Sequence, residues 1–176
     1  MKRLYTPWRM DYITSTHQKS QGCVFCSYLA DPPEHDRENY LVYRGPTTFI
    51  MMNIYPYNTG HLMVLPQAHV ATLSQVAAGT QFEMMWLASY FTQLLSPLLN
   101  PDGFNVGLNI GRAAGAGIDS HLHMHIVPRW SGDSNFMPVI GKTRVLPEEL
   151  GDTYDKIVAA LQENLPHIPP LDNMEE

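Results

Sequence analysis

The chain holds 176 residues, 44% of them hydrophobic, which suits a single globular domain with a proper core. Its formal net charge of −6 spreads no basic field over the molecule and tells against broad binding to nucleic acid or to an anionic membrane surface. An anionic small substrate stays open if its positive partners are local, and Arg112, Arg129, Lys142, Arg144 and the histidines are the candidates.

The opening segment from Met1 to Pro7 lacks the apolar stretch of a secretion signal. No run approaches the ~20 apolar residues of a membrane span. Two cysteines separated by two residues make a poor disulfide framework and fit a cytoplasmic chain better as metal ligands or a redox pair. Residues 1–22 mix Tyr5, Trp8, Met10, Tyr12 and Ile13 with polar residues, as in an arm that packs its aromatics on the domain or on a second subunit. Cys23-Val24-Phe25-Cys26 follows as a compact knuckle, and 31–39 reads as a polar loop broken by Pro32 and Pro33.

Strands come next. Tyr40–Tyr43 is short and Gly45-Pro46 turns the chain into Thr48–Met52. A second turn through Asn58-Thr59-Gly60 leads to His61–Leu65, stopped by Pro66, with His69 just beyond. Thr80-Gln81-Phe82-Glu83 has the form of a capping box that opens a helix running to about Ser96, where Pro97 ends or kinks it. Leu87, Phe91, Leu94 and Leu98 give that helix its apolar face. Phe104–Asn109 is a further strand, then a glycine-rich run from Gly111 to Gly117, then a histidine-bearing strand closed by Pro128. Residues 131–145 form a long loop. Pro147-Glu148-Glu149 opens a last helix with Leu150, Tyr154, Ile157, Val158 and Leu161 on one face. The expected fold class is α+β: an antiparallel sheet of about five strands with one long and one C-terminal helix. The domain division is an arm over 1–22, a single catalytic domain over 23–165 and a flexible tail over 166–176.

Chemistry concentrates in His121-Leu122-His123-Met124-His125. Side chains two apart on a strand share a face, so three imidazoles stand in a row ~6.6 Å apart, with Leu122, Met124 and Ile126 left for a core. Such a row can bind a metal or act on a bound phosphate. Cys23 and Cys26 can share a tetrahedral metal, with His69 and one outer histidine of the row at the other corners; a redox Cys-x-x-Cys is the competing reading. The glycine run is not a mononucleotide-binding loop, because no Gly-Lys-Ser/Thr follows it. Its amides can form an anion-binding concavity that delivers a phosphate to the imidazoles. A neutral imidazole facing a phosphoanhydride is a competent nucleophile, and a covalent nucleotidyl-histidine splits one displacement into two.

The alternation His-φ-His-φ-His-φ-φ resembles the signature of the histidine triad superfamily of nucleotide hydrolases and transferases, over roughly Cys23 to Asn135. Asn53-Ile54-Tyr55-Pro56 with Gly60 to Pro66 resembles that family's ribose-side hairpin. The segments 4–10, 103–109 and 121–136 resemble its bacterial diadenosine tetraphosphate phosphorylase branch. The resemblance implies His123 as nucleophile, His125 on the α-phosphate, and structural zinc on Cys23, Cys26, His69 and His121. It implies Asn53 on the ribose, Asn109 with the amides of Gly115 and Gly117 on phosphate, and Trp130 lining the site. It further implies a homodimer, with a tetramer as the larger assembly. Hydrolase members carry Ser or Thr three residues before the first histidine of the row; Ile118 stands there and cannot donate that bond. The resemblance therefore implies transfer of the nucleotidyl group to inorganic phosphate, giving ATP and ADP from diadenosine tetraphosphate. The rivals are a hydrolase of the same superfamily acting on dinucleoside polyphosphates or nucleotide phosphoramidates, and a zinc-stabilised nucleotide sensor without turnover.

Overall fold

A computed structural model of the chain describes residues 22–133 and 148–170. The arm up to residue 21, the loop from 134, Pro147 and the end of the tail lie outside the described residues. In chain order the elements are α1 (Val24–Ala30), β1 (Leu41–Arg44), β2 (Thr48–Met52), β3 (Leu62–Pro66), α2 (Ala78–Leu99), β4 (Gly103–Leu108), β5 (Met124–Arg129) and α3 (Leu150–Glu163). The strands form one antiparallel sheet in the order β1-β2-β3-β5-β4. The α+β expectation and its five strands hold.

Alternation along the strands sorts their side chains between two faces. Ile50 and Met52 on β2, Leu62 and Val64 on β3, and Met124 and Ile126 on β5 pack against α2 and α3. Phe49 and Met51, and Met63 and Leu65, point the other way and meet Phe25 of α1. Leu122 joins the first cluster, so the apolar side of the histidine row is core, as its pattern implies. On α2 the buried face is Met84, Leu87, Ala88, Phe91 and Leu95, with Leu94 and Leu98 only partly covered. Each large buried side chain contributes about 1.5–3 kcal/mol of gross hydrophobic stabilisation, and truncating Phe91 to Ala would cost ~3–5 kcal/mol. Tyr154, Ile157 and Leu161 seat α3 on the same core.

Several local expectations are corrected. The long helix starts at Ala78 behind Ala77, which offers no side-chain cap, so Thr80 and Glu83 are not a capping box. Glu83 is instead buried against the β1–β2 turn. Its carboxylate accepts from Thr47 Oγ1 and Thr48 Oγ1, both at 2.6 Å, and from the backbone N–H groups of both threonines. Four donors outbid the single amide of a capping box. The box that does form is Thr72 with Gln75, opening a 3₁₀ turn over Leu73–Gln75. Pro97 lies inside α2, which runs two residues further and ends at Asn100 in the left-handed region (φ 47°). Pro128 lies within β5, not at its end. It sits beyond Ile126, the last residue paired with β3, so its missing N–H takes no ladder bond from that side. The paired part of the histidine strand begins only at Met124, so His121 and His123 precede the ladder.

Candidate active site and metal centre

Cys23 precedes α1 and Cys26 lies one turn on, a spacing that puts both thiols on one side of the helix start. His69 follows β3, and His121 leads toward β5. The four ligand atoms of Cys23, Cys26, His69 and His121 all lie within 4.8 Å of one another. Cys23 Sγ is 3.4 Å from His121 Nδ1, Cys26 Sγ is 3.4 Å from His69 Nδ1, and Cys26 Sγ is 3.5 Å from His121 Nδ1. A tetrahedral centre with metal–sulfur bonds of ~2.3 Å and metal–nitrogen bonds of ~2.0–2.1 Å has sulfur-to-nitrogen edges of about 3.5 Å. The donor set therefore fits one metal ion. His121 Nε2–H donates to Pro66 O at 2.8 Å, which fixes the tautomer and turns the Nδ1 lone pair to the cysteines. Burial, and then the neighbouring Cys23, push the Cys26 thiol up, so a paired thiolate state asks for a cation between the sulfurs.

Each histidine of the row has a different hydrogen-bond partner on one ring nitrogen. His123 Nδ1–H donates to the backbone oxygen of His121 at 2.9 Å. Its Nε2 is thereby left as the lone-pair nitrogen. Phe25 packs on the His121 and His123 rings at 5.6 and 5.5 Å, which limits their rotation. Burial lowers the pKa of His121 and of His123, and both stay neutral near pH 7.

His125 is tied to a fourth histidine. Tyr57 N–H donates to His61 Nδ1 at 3.0 Å, so His61 carries its proton on Nε2 and donates it to His125 Nδ1 at 2.9 Å. The proton of a neutral His125 then sits on Nε2. Asn109 Nδ2 stands 3.4 Å from that Nε2. Two N–H donors side by side suit an anionic oxygen that accepts from both. Burial first, and then the neighbouring His123, lower the His125 pKa to about 4, so the ring donates as a neutral imidazole.

The glycine run folds into a 3₁₀ turn over Arg112–Ala114 between two glycines of positive φ, Gly111 (81°) and Gly115 (97°). An added Cβ meets nothing within 4 Å at either position, so backbone conformation and not space requires glycine there. Gly115 N–H donates to Arg112 O at 3.0 Å, while Gly117 N–H has no hydrogen-bond partner among the described residues. Asp119 closes the loop by accepting from Arg112 Nε at 2.8 Å. Ile118 packs against the Phe25 cluster, which explains an apolar side chain at that position.

Asn53 Oδ1 accepts from Tyr55 N–H at 2.9 Å, and its Nδ2 lies 3.5 Å from His61 Nδ1, which sets it beside the fourth histidine. Trp130 is not brought to the histidines within one chain. Its indole N–H donates to Asn100 O at 3.0 Å, and it lies five residues past His125, ~16 Å along the strand. The sequence reading gave His61 and Tyr57 no role. A usable signal was present: a histidine heading an otherwise apolar strand becomes a buried polar group that needs a partner.

The sheet, the histidine row and the Cys/His cluster together define a class, and the chain belongs to it: the HIT domain family, whose model matches residues 34–132. The chain is 38% identical over 157 residues to an AP-4-A phosphorylase of Mycobacterium tuberculosis, covering 87% of this chain and 80% of that protein. Among solved structures it is similar to a Zn-bound histidine triad family protein from Mycobacterium smegmatis, with a TM-score of 0.65 and 27% identity over 82% of this chain and 96% of that one. It is also similar to a hypothetical histidine triad nucleotide-binding protein from Sulfolobus tokodaii, with a TM-score of 0.62 and 27% identity over 80% of this chain and 90% of that one.

Proposed function

We propose that the protein is a nucleotidyltransferase that phosphorolyses dinucleoside polyphosphates, converting diadenosine tetraphosphate and inorganic phosphate to ATP and ADP. The observation that carries this reading is the tautomer of His123: Nδ1–H bonded to His121 O, Nε2 bare, in a chain 38% identical to an AP-4-A phosphorylase. His123 Nε2 attacks the α-phosphorus, and the bond to the bridging oxygen breaks with its electron pair leaving on ATP. An oxygen of inorganic phosphate then attacks the same phosphorus, the N–P bond breaks, its electrons return to Nε2 and ADP departs. Nδ1–H keeps its bond to His121 O throughout, so the ring needs no proton transfer. His125 Nε2–H and Asn109 Nδ2–H donate to an oxygen of the α-phosphate, and Gly117 N–H adds a donor from the loop. The Gly115 amide is engaged with Arg112 O, so Gly115 serves phosphate binding through its left-handed turn and the open backbone it gives. Asn53 holds the ribose.

In this reading Cys23, Cys26, His69 and His121 hold a structural zinc ion, which stabilises the fold and fixes the His121 ring. Residues 23–165 are the catalytic domain, with 1–22 as an arm and 166–176 as a tail. A homodimer forms across the open edge of β4, where Val106 and Ile110 are exposed, and Trp130 reaches a nucleotide across that edge. Among the described residues no helix is long and apolar enough to cross a membrane, and the cytoplasm is the proposed compartment.

The test is to incubate the protein with diadenosine tetraphosphate with and without phosphate, and to measure intact mass during turnover. ADP that depends on phosphate, with an AMP adduct on His123, is the expected result. AMP as product in both conditions would replace the phosphorylase with a hydrolase. The absence of any turnover or adduct would leave a sensor.

A further inference from the structure

The two displacements proposed for His123 constrain where phosphate groups lie. If both are in line at one phosphorus and share one nucleophile, the leaving nucleotide exits on the face opposite His123 and the acceptor phosphate enters by that same face. One cation placed there would serve the β-phosphate in the first step and inorganic phosphate in the second. The chain is acidic overall, at −6, so that cation has to be local.

The described cations differ in what they have left to offer. Arg37 is held by both oxygens of Asp155. Arg44 is wrapped by Asp36 and by carbonyls at the end of α1. Lys156 pairs with Glu148. Arg129 bonds Asp133 twice and Asn105 once. Arg112 makes one side-chain bond, through Nε to Asp119, and its side chain is 85% exposed. Its Nη1 and Nη2 have no partner among the described residues. Gripping Nε alone orients the guanidinium and leaves its Nη edge for a bidentate phosphate contact.

Its place in the loop fits. Arg112 is three residues past Asn109, which touches His125, and Asp119 is two residues before His121. The ion pair therefore closes the glycine loop with both ends at the histidine row. Ile118 is packed toward Phe25 and gives no donor to the phosphate, so this loop offers its amides and one guanidinium in place of a hydroxyl.

We propose that Arg112, steadied by Asp119, is the phosphate-binding group on the face of the α-phosphate opposite His123. There it holds the β-phosphate of the leaving nucleotide and then the incoming inorganic phosphate, which favours phosphate over water as acceptor. This rests on the nucleotidyl-His123 reading above and names its acceptor site.

The test compares wild type with Arg112→Gln, Arg112→Lys and Asp119→Asn on two substrates. Diadenosine tetraphosphate carries a β-phosphate; adenosine 5′-phosphoramidate, whose P–N bond breaks to release ammonia, does not. In Arg112→Gln the ratio of kcat/KM for the tetraphosphate to that for the phosphoramidate falls at least ~10-fold, the size of one lost charge-assisted contact. KM for inorganic phosphate rises, and the product shifts from ADP toward AMP. Arg112→Lys recovers part of the loss, and Asp119→Asn raises KM for phosphate by a smaller factor. Equal losses on both substrates, or an unchanged KM for phosphate with an unchanged ADP-to-AMP ratio, would overturn the proposal. If wild type itself makes only AMP, the phosphorylase reading fails, and the substrate ratio in Arg112→Gln still decides the leaving-side contact.

Discussion

The backbone oxygen of His121 accepts from His123 Nδ1 at 2.9 Å, while the ring of His121 belongs to the Cys/His cluster. One residue thus faces the candidate metal centre with its side chain and the proposed nucleophile with its main chain. Loss of the metal should be felt as loss of fold. In Cys26→Ser the bound metal should fall from one ion per chain to none by elemental analysis. Stability should drop by more than ~2 kcal/mol, as expected when a structural link is removed. A metal-free variant that melts with the wild type would show that the cluster holds nothing the fold needs.

In the proposed reading His61 is a positioning residue that acts through His125. In His61→Ala, His125 Nδ1 loses its donor and the ring is free to take either tautomer. Removal of a donor aimed at developing charge typically costs ~10²–10³-fold, and freeing the His125 tautomer is expected to lower kcat toward the lower end of that range with KM little changed. Nitrogen chemical shifts of the His125 ring should report the released tautomer. Normal kcat with His125 still protonated on Nε2 would show that the relay from Tyr57 is dispensable.

His125 has its pKa lowered to about 4 by burial, against an ordinary value of 6.5. Between those values the unfolded chain binds a proton at this position that the folded chain does not. Stability should therefore rise with pH across about pH 4–6.5 and be lost as acid is added through that window. Urea unfolding at stepped pH measures the slope, and His125→Asn should flatten it. An equally steep slope in that variant would assign the acid sensitivity elsewhere.

Glu83 takes four donors from Thr47 and Thr48 and pins α2 to the β1–β2 turn. Glu83→Ala should destabilise the protein by ~2–4 kcal/mol in chemical denaturation, because two hydroxyls and two amides lose their acceptor. A change below ~0.5 kcal/mol would mean that water replaces the carboxylate without penalty.

What could be read from sequence followed from how local each signal is. Short apolar runs bounded by turn residues located β2 and β3, and alternation located the Leu122–Ile126 face, because a two-residue period shows within five residues. Cys23 and Cys26 with His69 and one outer histidine of the row were legible from ligand chemistry, the family resemblance chose His121, and the fold brings the four together across 98 residues of chain. The failures were of another kind. Thr80 and Glu83 have the spacing of a capping box, yet Glu83 answers to a turn 35 residues away. His61 carries no short-range mark of its partner 64 residues on. Both are tertiary choices among hydrogen-bond partners, which spacing along the chain does not encode.

Pro66 ends β3 opposite Thr48 and offers its carbonyl to His121 Nε2–H. A one-residue slip of β3 against β2 or β5 would displace that carbonyl by ~3.3 Å along the strand and turn it toward the other neighbouring strand. The ring of His121 would then lose the anchor that aims it at the cysteines. A metal ion held by this cluster would therefore be kept best by chains whose hairpin has been set in the correct register.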